Sequence, residues 1–343
     1  MKEIRRILVV RTDRIGDVIL TLPVITALRR KFTNAHIAML IRHYTTDIVQ
    51  ENPDINEIIF DDDGTREISL MQQVRNIRAK QFDVVVVAKP SWRLALMFFC
   101  AGIPVRIGTG YRLYSFLFNK KINEHRRFGE RHEAEYNLRL LQPLGFIPTE
   151  KIYPKLVANK NNIDDIKMML LKYNIQATEM FIILHPGSGG SSKNWSASKF
   201  AALGKIIAEN YSLKIIVTGS KNEAALVQNV VAFIGENAVQ LQEQLSLQQF
   251  IALVSLAKLF IANSTGPLHI AAALGVHVVG LFPQHPSMGS TRWGPCTEKK
   301  YLFSPENKPA DCSKCNSHAH CDCMDSISVD DVLNKIQHIL ISI

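Results

Sequence analysis

Short apolar runs alternate along this chain with stretches in which apolar residues recur every three or four positions, the rhythm of strands separated by amphipathic helices. In the first half the runs are RILVVR at 6–11, AHIAMLI at 35–41, EIIFDD at 57–62, DVVVVA at 83–88 and VRIG at 105–108. The cycle restarts with MFIILH at 180–185, KIIVTG at 214–219, VQLQ at 239–242, KLFIAN at 258–263 and HVVGLF at 277–282. Alternation of this kind predicts parallel sheets covered by helices, and the near-continuous apolar character of the runs predicts strands buried on both faces. Two α/β domains follow, 1–165 and 166–325, connected through an extended segment and a helix at about 152–178. A last helical pattern, SVDDVLNKIQHILISI, places a closing helix within 326–343, which is expected to pack back on the first domain.

Composition narrows the class. With 343 residues, 47% of them hydrophobic, the chain has ample material for two packed cores. Its long apolar stretches, such as LALMFFCAGIPV at 94–105, fall short of the roughly 20 residues that cross a bilayer. The opening MKEIRRILVV runs straight into a strand without a signal-peptide core, so the expected location is cytoplasmic. Forty lysines and arginines against 31 acids give a formal charge of +9, which favours anionic partners. Much of the excess falls in 106–131, where Arg106, Arg112, Lys120, Lys121, Arg126, Arg127 and Arg131 are mixed with aromatics. A solvated surface accounts for such a run. No nucleic-acid module accompanies it, and no nucleic-acid partner is expected.

In parallel α/β folds ligands bind beyond the carboxyl ends of the strands, so the segments after the apolar runs carry the chemistry. After the first run comes RTDRIGDVILTLPVITALRR at 11–30, which sets Gly16 and Asp17 near a helix start. Pro23 removes a hydrogen bond to the Ile19 carbonyl and must bend or restart that helix. Asp17 has three readings here: a helix-start acid favoured by the dipole, a partner for nearby arginines, or a base. HPGSGGSSKNW at 185–195 combines three glycines, Ser188 and Lys193, a set able to cradle phosphate oxygens, although it matches neither the nucleotide-triphosphatase loop nor the dinucleotide fingerprint. TGSKNEAALV at 218–227 puts Glu223 in the opening turn of a helix, where an acid either favours the dipole or accepts from ribose hydroxyls. NSTGPLHIAAALG at 263–275 places Ser264, Thr265 and Gly266 at a helix N-terminus, with Pro267 in the first turn, Gly275 past the end, and His269 either packing or donating to a phosphate.

Together these segments describe a diphosphate pocket in the second domain and a carboxylate at the matching edge of the first. The arrangement resembles the glycosyltransferase family 9 enzymes, the heptosyltransferases of lipopolysaccharide core assembly. The likeness spans nearly the whole chain, through GDVILTLPVITALRRKFTNAHI, RHEAEYNLRLLQPLG at 131–145, HPGSGGSSKNW, TGSKNE, NSTGPLHIAAALGVHVVGLFP and the cysteine-bearing end. It implies a GT-B fold, two Rossmann-like doubly wound domains facing a central cleft, with acceptor bound by the first and nucleotide-sugar donor by the second. It also implies roles: Asp17 as general base, Ser188 and Lys193 on the donor diphosphate, Glu223 on the ribose, and Thr265, Gly266 and His269 on the phosphates. Ser264 joins the donor set at a position often occupied by aspartate in relatives, which leaves its sugar contact open.

Transfer from a nucleotide-diphosphate sugar requires an acceptor hydroxyl to lose a proton while the diphosphate gains charge. Asp17 serves the first need; Lys193, Ser188, His269 and helix amides serve the second. That supply of cations and N–H groups makes a metal unnecessary, so neither metal nor cofactor is expected, and a single base predicts inversion at the anomeric carbon. Asp13, outside the Gly-Asp pair, is the rival base. The implied acceptor is an anionic lipid-linked saccharide of the inner core, held by Arg106, Arg112, Lys120, Lys121, Arg126 and Arg127 at the cytoplasmic face of the inner membrane. The expected reaction is transfer of heptose from ADP-heptose to that acceptor. A nucleotide-sugar epimerase or another non-transferase GT-B protein is the alternative, and it would need no acceptor. Among the cysteines, Cys100 reads as a buried small side chain. Cys312, Cys315, Cys321 and Cys323, interspersed with His318 and His320, are open to three readings: zinc ligands, free thiols or disulfides.

Overall fold

The computed structural model describes residues 3–176, 178–242, 244–306 and 323–341, the side chain of Arg127 excepted. The chain divides into two compact units: residues up to 126 together with 131–156, and residues 127–130 together with those from 157 onward. Among the described residues each unit holds one six-stranded, all-parallel sheet. The first comprises β1 (Arg6–Val10), β2 (His36–Ile41), β3 (Glu57–Phe60), β4 (Val84–Val87), β5 (Val105–Thr109) and β6 (Lys120–Ile122), in the order β3-β2-β1-β4-β5-β6. The second comprises β7 (Phe181–His185), β8 (Lys214–Val217), β9 (Ala238–Gln240), β10 (Leu259–Asn263), β11 (His277–Leu281) and β12 (Lys300–Phe303), in the order β12-β11-β10-β7-β8-β9. Counted from its own first strand, the second sheet repeats the order of the first. Strand order therefore reverses between β1 and β4 and again between β7 and β10, and at such reversals a doubly wound sheet opens a crevice at its carboxyl edge.

The strands form where the sequence is apolar and β-branched. Ile7, Leu8, Val9 and Val10 lie in register with Val84 to Val87, every one of them buried. Successive side chains leave a strand on opposite faces, so β7 feeds two cores: Ile182 and Leu184 pack with Phe200 and Ile207, while Phe181 and Ile183 pack with Phe260 and Ile166. The ten apolar runs correspond to β1–β5 and β7–β11. The sixth strand of each sheet, β6 and β12, was not foreseen. Both are edge strands with exposed lysines, Lys120 and Lys121 in one and Lys300 in the other, and charge at an edge blunts pairing with other chains while hiding the strand pattern. Pro23 restarts the first helix: one segment runs Ile15–Ile19 and a second Leu22–Lys31, with Pro23 in the first turn, where a missing N–H costs little.

Three expectations need correction. A domain boundary at 165/166 falls inside the helix Lys160–Leu171, whose Ile166 and Leu170 belong to the second unit's core; the division lies at 156/157, in the extended stretch before it. The closing helix, Val329–Ile341, packs on the second unit rather than the first. Its Val332, Ile336, Ile339 and Leu340 form one apolar stripe against the helix Ala197–Tyr211, and the Tyr301 hydroxyl lies 2.9 Å from His338 Nε2. Cys100, last residue of the helix Trp92–Cys100, is exposed because that position faces away from the sheet. Of the cysteine-rich segment, Cys312, Cys315, Cys321, His318 and His320 lie outside the described residues, and Cys323 packs against the second core. Among the described residues no helix is long and apolar enough to cross a membrane.

Candidate active site

At the carboxyl end of β1 the chain turns an arginine inward. Arg11 is 4% exposed, and its guanidinium joins three acids: Nε donates to Asp13 Oδ1 at 2.7 Å, Nη1 to Glu133 Oε1 at 3.2 Å, and Nη2 to Asp17 Oδ1. Glu133 and Asn137 come from the helix Glu133–Arg139, and Asn137 fills the break made by Pro23, donating to the Leu20 carbonyl at 3.0 Å. Lys89, just past β4, lies 3.6 Å from Asp13 Oδ2, so the two strands flanking the reversal both contribute. Arg126 completes the cluster, with Nη1 2.5 Å from Glu133 Oε1 and 2.9 Å from Asn137 Oδ1. Among the described residues three carboxylates thus face three cations, and matched charges offset the cost of burial.

The three acids are not equivalent. Both oxygens of Asp13 face cations, and Glu133 is buried between two arginines. Asp17 has Oδ1 on Arg11, while Oδ2 accepts no hydrogen bond among the described residues. Burial raises its pKa; Arg11 opposes this, and the negative charges of Asp13 and Glu133 add to it. Burial works against the charge of Arg11, but the surrounding carboxylates hold it protonated well above its ordinary range. Asp17 is therefore a carboxylate of heightened basicity with one oxygen available, which favours it over Asp13 as proton acceptor.

The basic residues expected to hold an acceptor divide into groups. Arg126 is part of the cluster just described. Arg106 is corrected to a structural role: Nε donates to the Leu117 carbonyl at 2.8 Å, Nη1 to the Ile103 carbonyl at 2.6 Å, and its guanidinium lies over Phe99, near the start of β5 and away from the carboxyl edge. Lys120 and Lys121 are exposed on the edge strand β6. Arg112 is exposed beyond the end of β5, and the side chain of Arg127 lies outside the described part of the structure.

In the second unit the loops after β7, β8 and β10 converge. Asn263, the last residue of β10 and fully buried, donates to the Pro186 carbonyl at 2.7 Å and accepts from Trp195 N at 2.8 Å, pinning both ends of the loop after β7. Ser191 Oγ adds bonds to the Ser188 and Ser264 carbonyls at 2.7 and 3.0 Å. Glu223 lies beneath this loop: Oε1 accepts from Gly189 N at 2.9 Å, and Oε2 accepts from the backbone and hydroxyl of Ser220 at 2.8 and 2.7 Å. Burial works against its charge, but these bonds hold its pKa below the usual carboxylate value. A Cβ at Gly187 would lie 2.0 Å from Glu223 Oε1, so a larger residue there would displace this carboxylate from its bonds. Gly189 and Gly190 both adopt positive φ, a conformation glycine takes without strain, and the Gly189 amide is engaged by Glu223.

The helix Gly266–Ala273 begins at the same edge with Thr265 as N-cap, and no side chain caps its amides. The Thr265 hydroxyl and the Lys193 ammonium have no partner among the described residues, so both remain available beside the anion-favouring helix terminus. His269 is buried in the first turns of that helix, and Ser188 is buried with Oγ 3.4 Å from the Ser192 carbonyl. His185, at the end of β7, shares a hydrogen bond with the Thr218 hydroxyl at 2.9 Å and stacks on Phe260; burial pushes its pKa down to about 4 against the pull of Glu223, leaving a neutral ring. The second unit thus gathers Ser188, Lys193, Glu223, Ser264, Thr265, Gly266 and His269 onto neighbouring loops of one sheet edge.

Sequence reading passed over Arg11, Glu133, Asn137, Lys89, Asn263 and His185 as functional residues. Arg11 and Glu133 stand 122 positions apart, so no local spacing links them. Asn263 had a signal: an amide closing a five-residue, fully buried apolar strand must find partners.

Comparison with known proteins agrees with this fold. The family model described as "Glycosyltransferase family 9 (heptosyltransferase)" matches residues 70–321. A putative glycosyltransferase of Haemophilus influenzae is 26% identical over 308 residues, covering 88% of this chain and 89% of the relative. Lipopolysaccharide heptosyltransferase 3 of Escherichia coli is 25% identical over 305 residues, with 84% of each covered. The crystal structure of a family 9 glycosyl transferase from Veillonella parvula superimposes with a TM-score of 0.87 at 22% identity, covering 99% of this chain and 98% of that one. The paired six-stranded sheets are those of the GT-B fold, and the chain belongs to glycosyltransferase family 9.

Proposed function

We propose that this chain is an inverting heptosyltransferase that moves heptose from ADP-heptose to an anionic, lipid-linked saccharide of the lipopolysaccharide inner core. The observation that carries the reading is the single available oxygen of Asp17, held by Arg11 at the carboxyl end of β1. Asp17 takes the proton of the acceptor hydroxyl as it attacks the anomeric carbon. The Lys193 ammonium, the Ser188 and Thr265 hydroxyls, His269 and the amides at the start of helix Gly266–Ala273 stabilise the departing diphosphate. This cationic, N–H-rich set does for the leaving group what a divalent metal does elsewhere, so transfer proceeds in the presence of chelator. Arg112, Lys120, Lys121 and Arg127 are the remaining candidates for acceptor phosphates and carboxylates, and a lipid-linked acceptor sets the reaction at the inner face of the inner membrane. The test is incubation with ADP-heptose and a purified inner-core acceptor. ADP release that requires acceptor, with one heptose added in inverted configuration, supports the reading. Conversion of the nucleotide sugar without acceptor would replace it with the epimerase reading.

A further inference from the structure

Between Glu67 and Glu124 the chain carries nine lysines and arginines and one acid, Asp83, an excess of eight where the whole chain has an excess of nine. That acid is engaged, accepting from the backbone N–H groups of Arg5 and Arg6 at 2.9 Å each. Within this stretch two neighbouring elements expose large apolar side chains. The helix Trp92–Cys100 turns Leu94, Met97 and Phe98 into the core and leaves Trp92 and Phe99 62% and 51% exposed. The 3₁₀ segment Leu113–Leu117 has three residues per turn, so residues 113 and 116 share a face, as do 114 and 117. Tyr114 and Leu117 face the core, while Leu113 is 99% exposed and Phe116 74%.

The two elements are fastened together at both ends. The Tyr114 hydroxyl donates to the Pro90 carbonyl at 3.0 Å, beside Trp92, and Arg106 joins the Leu117 carbonyl to the ring of Phe99. The exposed apolar residues therefore belong to one built surface, not to a loose loop. Of the nine cations in the stretch, Lys80, Lys89 and Arg93 pair with acids outside it, while Arg75, Arg112, Lys120 and Lys121 are exposed and without an acidic partner among the described residues.

We propose that this face of the first unit, centred on Leu113 and Phe116 with Trp92 and Phe99, docks the protein on an anionic bilayer surface. Aromatic and aliphatic side chains enter the headgroup region while the basic residues meet anionic lipids, the pairing that interfacial segments use. A second copy of this chain would bring the same positive charge against itself, which disfavours self-association here. The proposal goes beyond the catalytic reading, which gives it a purpose through the lipid-linked acceptor, but it is tested without donor or acceptor.

The full chain is mixed with vesicles of phosphatidylcholine alone or with 30% phosphatidylglycerol, and bound protein is measured by flotation. Binding to the phosphatidylglycerol vesicles is expected, weakened by high salt and reduced about tenfold or more by the double substitution Leu113→Ser with Phe116→Ser. The melting temperature and the transfer rate on a delipidated acceptor fragment should match wild type, since neither residue contributes to the core or the site. Absence of wild-type binding to anionic vesicles, or equal binding by the variant, overturns the proposal. So does a wild-type dimer in solution that the double variant converts to monomer. Loss of transfer activity with retained vesicle binding would count against the catalytic reading alone.

Discussion

Arg11 donates to one oxygen of Asp17 and leaves the other without a hydrogen bond among the described residues. The carboxylate is thereby fixed in orientation without being fully neutralised. Asp17→Asn preserves the acceptor oxygen for Arg11 and removes the base, so kcat should fall by about 10²- to 10⁴-fold while folding and ADP binding persist. In wild type the acid limb of kcat/KM should lie above the ordinary aspartate range near about 4, because burial and two neighbouring acids raise the Asp17 pKa. The stability sign follows: the fold binds this proton more tightly than the unfolded chain, so its stabilising effect is present at low pH and is lost as pH rises through the raised pKa. Asp17→Asn should therefore gain melting temperature relative to wild type on going from pH 4 to pH 8.

Glu133 offers a test of the cluster that leaves Asp17 in place. Glu133→Gln keeps an oxygen for Arg11 and Arg126 but removes a negative charge that raises the Asp17 pKa. The acid limb of kcat/KM should move to lower pH in this variant. A limb that stays where it is would show that Glu133 is structural only.

His185 predicts a pH dependence of stability in the second unit. Its folded pKa of about 4 lies below the ordinary value of 6.5, so its contribution is complete above pH 6.5 and is lost as pH falls toward 4. The size is about 3 kcal/mol. His185→Gln retains a partner for Thr218 and cannot titrate, so its unfolding free energy should be flatter than wild type between pH 7.5 and 5, as measured by urea titration.

Asn263→Ala removes both clamps on the loop after β7 and leaves the buried Trp195 N–H and Pro186 carbonyl without this partner. A cost of about 3 kcal/mol is expected from two unsatisfied buried groups. ADP affinity, measured by calorimetry at a temperature where the variant is folded, should fall with it, because the clamped loop carries Ser188 and Lys193.

These tests also mark what the sequence could disclose. Asp17 was legible as a candidate because a glycine-acid pair follows a buried apolar run, and the loops of the second unit's candidate site were legible because glycines, hydroxyls and Pro267 have local meanings at strand ends and helix starts. Arg11 was not: its function depends on Glu133 and Asn137, which arrive from a distant helix. β6 and β12 escaped for a different reason. An edge strand needs only one apolar face and one partner, so its pattern is short and interrupted by lysine. The docking of the closing helix was equally hidden, since an amphipathic stripe states that a helix packs but not against which surface.

Lys193 separates transition-state stabilisation from structure. Its ammonium has no partner among the described residues, so Lys193→Met should leave the melting temperature within about 1 °C, as expected for a partly exposed side chain outside any network. If the ammonium meets charge developing on the departing diphosphate, kcat should fall by about 10²- to 10³-fold, with a smaller change in the dissociation constant of ADP-heptose. Equal losses in ground-state binding and in kcat/KM would instead assign Lys193 to uniform binding of the diphosphate. The measurement that decides is single-turnover transfer at saturating donor, compared with donor affinity determined independently by calorimetry.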